Sequence, residues 1–414
     1  MKKMLSVLLA AAMLLSLMAV PALADDQVLT VVTWDATTTP YLTAQKEAFE
    51  ASHPGVTIEY IDVASQDYGI KATTMLEGKD ASDVYMIKEI DDLIKWQAQG
   101  FTAPLSDYIA QGYDMSGFVG TEANYAVDGV QYAIPFRSDF WVLFYNKDLF
   151  DAAGVDYPTN DMTWDAYAEL AKKMTDKEKD VYGTHYHTWL SAVANWAVCD
   201  GVNTLADGKY EDLLYFYKLY QDLEDNGVCM SYADLKASGL HYSAAFANGN
   251  VAMMPMGYWY VSTLIGYNKD GTCNFNWGIT AVPHAEGVAA GSSFGNLTGA
   301  MINTYSEKKD LAWEYISWLG GEEGAAATAS VGARPAWVSE SVATAMSSVE
   351  GFPADETSKG ALLPAAVSME WPVADKVADI KTIVNEEHSL IMAREITPEE
   401  GIEEMDERVA ELFE

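Results

Sequence analysis

The amino-acid sequence predicts an α/β protein that is divided into two lobes. β-Branched runs alternate with helix-like segments over residues 27–87, in the order strand, helix, strand, helix, strand. Without its leader the chain has about 390 residues, which is more than one hydrophobic core usually holds. Half of all residues are hydrophobic, so packed cores are expected instead of disorder.

Three strands are predicted near the start, at 27–34, 56–63 and 83–87. Thr39-Pro40 predicts the start of the first intervening helix, because proline fits the first helical position. Helical crossovers imply parallel strands with right-handed connections. Binding sites in such sheets form at the carboxyl ends of the strands. The residues at those ends are Trp34, Asp35, Asp62, Lys88 and Glu89.

The middle and the tail of the chain are predicted to be mostly helical, with three more strands. The strands are expected at 251–256, 276–283 and 297–302. Thr397-Pro398 followed by Glu400 is typical of a helix start. The other helices are expected at 163–175, 210–227 and 308–319, and from about 372 onward.

The first 24 residues predict a secretory signal peptide. A basic start at Lys2 and Lys3 precedes an apolar run to Val20, and small residues lead to a cleavage site after Ala24. A retained membrane helix is the alternative, although the run barely reaches spanning length. No cysteine precedes Cys199, so the usual lipid-attachment cysteine is missing. We therefore expect a periplasmic or secreted protein.

The charge balance is strongly acidic and excludes some partners. The formal net charge is −36 for the whole chain. Such a surface repels nucleic acid and anionic lipid, so neither is an expected partner. Three cysteines, Cys199, Cys229 and Cys273, are too few for a disulfide scaffold. Either one bridge with a leftover thiol or three free thiols would fit.

The motifs of catalysis and cofactor binding are absent or in the wrong context. "GSSFG" at 291–295 fits the nucleophile-elbow pattern around Ser293, but a loop precedes it and a strand follows. His185 and His187 have no HExxH or CxxC partner, so no metal site is expected. The sequence has no P-loop and no GxGxxG after a strand, so no cofactor is expected either.

Aromatic residues give the more informative pattern. The 12 tryptophans and 24 tyrosines often stand beside glycine, proline or charge, as in "HTWLSA" and "MGYWY". Sugar rings pack their C–H faces on aromatic planes, while their hydroxyls need polar partners. The alternative is that most of these rings are core, as expected for Trp313 and Trp318 on a helix.

Five segments follow one another in an informative order. The most specific is "DGVQYAIPFRSDFWVLFYNKDLFDAAGV", with Tyr132, Pro135 and a YNKDLF run, and the others are "TWDAYAELAKKM", "AFANGNVAMMPMGYW", "GITAVP" and "KKDLAWEYISWL". In this order they resemble the extracellular solute-binding proteins of bacterial ABC sugar importers, the family that includes maltose-binding protein. The resemblance spans nearly the whole mature chain.

This resemblance implies a two-lobed periplasmic-binding-protein fold with a hinge and a ligand cleft between the lobes. The N-terminal lobe would comprise 25–136 and 298–345, and the C-terminal lobe 137–297 and 346–414. Tyr132 to Pro135 would form the first crossing strand, and Arg137 to Trp141 would lie at the cleft floor.

The resemblance also implies a set of ligand contacts. Asp139 matches a position where family members carry a sugar-binding carboxylate, which would accept hydroxyl protons. The alternative is that Asp139 pairs with Arg137 and only holds the hinge. Trp259 matches a stacking tryptophan, with a core position as its alternative, and Trp371 matches a late aromatic loosely. The full predicted set is Trp34, Asp35, Lys88, Glu89, Arg137, Asp139, Trp141, Trp189, Trp259, Asn296, Arg334 and Trp371.

The predicted function is that of a non-enzymatic, monomeric binding protein. It would capture a mono- or oligosaccharide and deliver it to the permease subunits of an ABC transporter. A secreted carbohydrate-active enzyme with a similar cleft, such as a glycoside hydrolase or lyase, is the main alternative, and an adhesion or structural protein is a third. The sequence does not specify which sugar is bound.

Overall fold

A computed structural model describes residues 27–37, 39–118, 121–372, 374 and 376–414. The predicted signal peptide and its cleavage site at Ala24 lie outside these residues. Within the described ranges, no helix has the length and apolar character needed to cross a bilayer.

Twelve strands are found in the described part of the chain, in four sheets. They are β1 (Gln27–Trp34), β2 (Val56–Val63), β3 (Val84–Ile87), β4 (Ala126–Val127), β5 (Val130–Gln131), β6 (Ile134–Ser138), β7 (Trp141–Asn146), β8 (Met253–Gly257), β9 (Trp277–Ala281), β10 (Ser292–Gly295), β11 (Leu297–Ile302) and β12 (Ala366–Met369).

Helices fill most of the space between these strands. They are α1 (Pro40–Ser52), α2 (Tyr68–Glu77), α3 (Ile90–Ala98), α4 (Ser106–Ile109), α5 (Lys147–Ala153), α6 (Trp164–Met174), α7 (Leu190–Val193), α8 (Leu214–Asp225), α9 (Tyr232–Ser238), α10 (Tyr242–Ala247), α11 (Tyr260–Asp270), α12 (Lys309–Gly320), α13 (Glu322–Ala329), α14 (Glu340–Ser347), α15 (Glu356–Gly360), α16 (Val377–Met392) and α17 (Pro398–Glu411).

The first sheet has five strands in the order β2-β1-β3-β11-β6. β1 runs parallel to both β2 and β3, which confirms the predicted β-α-β-α-β unit. β11 is antiparallel to β3 and to β6, so the strand at 297–302 returns to this sheet after a long excursion. The second sheet, β8-β7-β9, is antiparallel throughout.

Two separate hydrophobic cores surround these sheets. The first core contains residues from Leu29 to Phe136 and from Leu297 to Leu319. The second core runs from Phe140 to Phe294 and takes up the tail from Val342 to Val409. The chain therefore passes between the cores near residues 137–139 and 295–296, and again within 320–341, where Ala325 and Ala329 belong to the second core and Ala336 to the first. The lobe boundaries predicted from the sequence stay a prediction.

Several helix starts follow local sequence rules. Thr163 accepts a hydrogen bond from the Ala166 amide, as the predicted cap requires. Thr397 and Glu400 form a complete capping box at the start of α17. Thr39 is extended before Pro40, but its side chain makes no cap bond. The tail helix begins at Val377, later than the predicted 372.

We expect Thr397→Ala to lower the free energy of unfolding by about 1 kcal/mol, because the first-turn amides lose their side-chain acceptor. Urea unfolding of the variant beside wild type measures this. Thr397→Ser, which keeps the hydroxyl, is the matched control and should stay close to wild type. Equal losses in both variants would contradict the capping explanation.

Candidate functional site

The candidate site lies where two of the chain crossings meet, at residues 137–139 and 295–296. The amide of Asp139 donates to the backbone oxygen of Asn296 at 2.9 Å. A Cβ on Gly295 would lie 1.7 Å from the backbone oxygen of Asp139, so only glycine permits this approach. The first crossing joins β6 to β7 and the second joins β10 to β11, so both cores connect to this point.

Arg137 and Asp139 form a buried ion pair at the first crossing. Arg137 Nη1 donates to Asp139 Oδ2 at 2.5 Å, and the side chains are 18% and 9% exposed. Arg137 Nη2 also donates to Thr298 on β11 at 3.0 Å. Burial raises the pKa of Asp139, although Arg137 and Arg334 oppose that rise. The pairing considered as the alternative for Asp139 is thus present, while its predicted ligand contact stays a prediction.

Arg334 lies on the other side of the same crossing. Its Nη1 donates to Ser138 Oγ at 2.7 Å, and its guanidinium lies 4.4 Å from the centre of the Phe140 ring. Burial lowers the pKa of Arg334 to about 10, so the side chain is still charged at neutral pH. Arg334, Asp139 and Asn296 line a cavity of about 430 Å³. Three predicted site residues therefore meet here.

Several predicted site residues belong to the first core, and they lie close together at the ends of β1 and β3. The ring of Trp34 is only 7% exposed and packs edge-on against Tyr68, with centroids 5.0 Å apart. Lys88 Nζ lies 6.0 Å from the Trp34 ring centre and donates to Ser65. The Ser65 amide in turn donates to Asp35. The predicted convergence at the strand ends is therefore present, but Trp34 offers little free surface.

The second core presents a row of aromatic side chains. Trp259 is half-buried, and its Nε1 donates to the Tyr242 hydroxyl at 3.0 Å. Tyr242 contacts Trp189, which is 39% exposed, with centroids 5.5 Å apart. A Cβ on Gly257 would lie 1.9 Å from the Trp259 ring, so glycine lets the indole fold back over the strand end. Trp189, Tyr242 and Trp259 are called the aromatic row below.

The side chains of Tyr258 and Trp259 lie in different environments. Tyr258 is fully buried and stacks on Phe140 with centroids 5.5 Å apart. Trp259 stays partly accessible and meets Trp141 edge-on at 5.5 Å.

Two predicted contacts, Trp141 and Trp371, need correction. Trp141 is 1% exposed and packs against Trp196 and Phe294 as well as Trp259. Trp371 is 6% exposed within the second core. An indole with so little accessible surface cannot stack on a sugar in this arrangement. We therefore assign both rings to support of the site.

A polar group that no sequence pattern indicated lies next to Trp371. Glu370 is half-buried and accepts from Asn195 Nδ2 at 3.0 Å and from Asn296 Nδ2 at 2.7 Å. Glu89, one of the predicted carboxylates, pairs with Lys381 at 3.1 Å. Lys381 lies on α16 of the second core, and Glu89 follows β3 of the first. This pair therefore bridges the two cores.

The serine, cysteine and histidine residues for which the sequence indicated no catalytic or metal-binding role have structural surroundings. Ser293 lies within β10, where its hydroxyl accepts from the Trp141 amide and donates to the Trp141 oxygen. The three cysteines are buried and free. In the described ranges, no group of His, Cys, Asp and Glu side chains has the spacing to hold a metal ion. Burial lowers the pKa of His187, beside Trp189, to about 4, so its imidazole is neutral.

Solved structures of similar shape are sugar-binding transport proteins. One is a sugar transporter from Rhizobium etli in an open conformation, with 39% identity, a TM-score of 0.85, and coverage of 92% of this chain and 99% of the other. Another is an ABC substrate-binding protein from Listeria monocytogenes in complex with cycloalternan, with 24% identity and a TM-score of 0.79 over 94% and 99% of the chains. The second likeness shows the fold alone.

Sequence comparison points to the same family. A binding protein of Brucella abortus is 28% identical, over 74% of this chain and 75% of its own length. Residues 35–326 match the family model described as "Bacterial extracellular solute-binding protein". That match covers more than half of the chain. The protein therefore belongs to the bacterial extracellular solute-binding protein family, the non-enzymatic solute-binding components of ABC transporters.

Proposed function

We propose that this protein captures a neutral saccharide in the cleft between its two cores and delivers it to the permease subunits of an ABC transporter. The observation that carries this proposal is the position of the aromatic row. Trp259 contacts Trp141, two residues after Asp139, and burial together with the nearby Asp139 charge raises the pKa of Tyr242, so the row lies near the buried ion pair. Stacking surfaces and hydroxyl acceptors are thus adjacent, as a sugar ring requires.

The charges near the crossing favour a neutral ligand. Arg137 pairs with Asp139, and Lys381 pairs with Glu89. A charged ligand would have to compete with these internal partners, whereas hydroxyl groups can add hydrogen bonds to paired side chains. The carboxylate of Asp139 can still accept a hydrogen bond. Its Oδ2 accepts from Arg137, but its Oδ1 accepts no hydrogen bond from any described residue.

Names of matched proteins support a sugar or polyol in this family. Structural relatives were solved with D-mannitol, maltose and mannotriose. Another relative, 26% identical over 52% of this chain, is named as binding sn-glycerol 3-phosphate. The paired charges described above favour the neutral class over the phosphate. Because the family is non-enzymatic, the alternative of a carbohydrate-active enzyme is not retained.

The proposal includes export and a two-state cycle. The signal peptide would be removed near Ala24, and the mature protein would act as a monomer in the periplasm or outside the cell. Ligand would shift the population toward a form in which both lobes enclose it, and the permease would recognise that form.

A thermal-shift screen tests the proposed ligand class. We expect at least one neutral sugar among maltose, mannotriose and D-mannitol to raise the melting temperature. At a hundredfold excess over its dissociation constant, a ligand stabilises the native state by about 2.7 kcal/mol. Peptides, polyamines and divalent cations serve as controls. A shift with those compounds and none with any sugar would contradict the proposal.

A further inference from the structure

A second polar group stands at the same crossing, at the carboxyl ends of two parallel strands. β10 and β12 pair in parallel, with Gly295 opposite Met369. The next residues are Asn296 and Glu370, so their side chains leave from the same edge of this small sheet. Met369, which precedes Glu370, and Asn296, which donates to it, both line the cavity of about 430 Å³ at the crossing. Glu370 therefore lies next to this cavity.

The carboxylate of Glu370 is held in a defined orientation. Asn296 donates to Oε2 at 2.7 Å, and Asn195 donates to Oε1 at 3.0 Å. Asn195 is fully buried, and its own Oδ1 has no hydrogen-bond partner in the described part of the chain. An unsatisfied buried amide oxygen is costly unless a further donor completes it. The buried Asn195 amide therefore serves to hold the carboxylate of Glu370.

Charged groups from both cores face Glu370. Lys381 on α16 attracts the carboxylate, and Glu89 after β3 repels it. Lys381 is already paired with Glu89, and Asp91 on α3 also acts on it. We call Asn195, Asn296, Glu370, Lys381 and Glu89 the Glu370 cluster.

The protonation state of Glu370 changes near neutral pH. Burial raises the pKa of Glu370 to about 7, and Glu89 adds to the rise, while Asn296, Lys381 and Asn195 oppose it. The ionised group offers about four acceptor positions, two of which the asparagines take. Protonation turns one oxygen into a donor and removes the charge that strengthens hydrogen bonds from hydroxyls.

We propose that Glu370 is a specificity-determining residue of the sugar cleft, which accepts ligand hydroxyls as a carboxylate and thereby makes sugar capture depend on pH. The inference rests on the proposed function and adds a named contact and a regulation to it. A ligand that binds only the ionised form has full affinity above the pKa of Glu370 and loses affinity as the pH falls through it. With a pKa of about 7, the dissociation constant should be about tenfold larger at pH 6 than at pH 8.

Calorimetric titration with maltose, mannotriose and D-mannitol at pH 6, 7 and 8 tests this inference. Wild type should bind its best sugar about tenfold more weakly at pH 6 than at pH 8. At pH 7, titrations in two buffers of different ionisation enthalpy should show net proton release on binding. Glu370→Gln should bind about tenfold or more weakly than wild type at pH 8, without pH dependence or proton release.

Asp92→Asn is the matched control. Burial, together with Asp91 and Glu89, also raises the pKa of Asp92 to about 7, but this side chain makes no contact with Glu370. The control should keep the pH dependence of wild type. Thermal unfolding of each variant without ligand shows whether it is folded.

The outcomes separate the two proposals. Sugar binding that is independent of pH in wild type, or unchanged in Glu370→Gln, would overturn the role of Glu370 and leave the proposed function standing. Loss of the pH dependence in Asp92→Asn, with Glu370→Gln keeping it, would overturn it as well. Failure of every sugar to bind wild type at all three pH values would overturn the proposed function itself, and this inference with it.

Discussion

Replacement of Asp139 by alanine should lower the free energy of unfolding by about 3–5 kcal/mol, the usual cost of removing one partner from a buried ion pair. Arg137 would remain with only 18% of its side chain exposed and without its carboxylate. Its bond to Thr298 would persist, but a hydroxyl cannot balance the charge. Urea unfolding followed by far-UV circular dichroism measures the loss.

Two further variants test whether the loss of stability comes from breaking a buried ion pair. Asp67→Ala breaks a pair with Lys71 whose side chains are 50% and 56% exposed, so it should cost at most about 1 kcal/mol. The double variant Arg137→Met with Asp139→Ala removes both charges and should recover part of the stability. Equal losses for Asp139→Ala and Asp67→Ala would contradict the assignment of a buried pair.

The isosteric Asp139→Asn variant addresses the ligand. It keeps the shape of the crossing but removes the charge that strengthens hydrogen bonds from hydroxyls, each worth about 1.5–3 kcal/mol. We expect sugar affinity to fall about tenfold or more. Unchanged affinity would leave Asp139 with the purely structural role that its pairing with Arg137 already provides.

Trp259→Ala should weaken sugar binding by about 1–3 kcal/mol, in the range of a lost aromatic anchor. The ring is half-buried, bonded to Tyr242 and packed on Trp141. Its removal should therefore lower stability without ligand by less than the about 3–5 kcal/mol of a fully buried tryptophan. Affinity and unliganded unfolding are measured on the same preparation.

Trp96→Ala is the matched control for this prediction. Trp96 is fully buried in the first core, and its Nε1 donates to Thr73. This variant should lose about 3–5 kcal/mol of stability and keep its sugar affinity at a temperature where it is folded. Trp259→Ala with the same pattern, low stability and normal affinity, would remove Trp259 from the site.

Local sequence patterns were enough to predict those strands and helix starts that depend on neighbouring residues alone. The strands β1 and β2 occupy the predicted residues, because β-branched runs bounded by turn residues specify them. The capping box at Thr397 was readable for the same reason. The predicted strand at 251–256 is shifted to Met253–Gly257, where pairing with β7 sets the bounds.

Site residues were less predictable, because their environment depends on distant segments. Nothing in the residues around Trp371 shows that its ring turns into the core while the preceding Glu370 turns to the crossing. The contacts of Glu370 with Asn195 and of Lys381 with Glu89 join residues 175 and 292 positions apart. Periodicity and spacing do not report pairs at such separations. Resemblance supplied Asp139 and Trp259, whereas the Glu370 cluster needed the fold.

The most direct test of the central claim is a calorimetric titration of the mature protein with the best neutral sugar and, separately, with sn-glycerol 3-phosphate. We predict saturable binding of one sugar molecule per protein and recovery of the sugar intact. The phosphate should bind much more weakly, because two of the cations near the crossing, Arg137 and Lys381, are already paired within the protein. Tight binding of sn-glycerol 3-phosphate with no heat from any sugar would contradict the account.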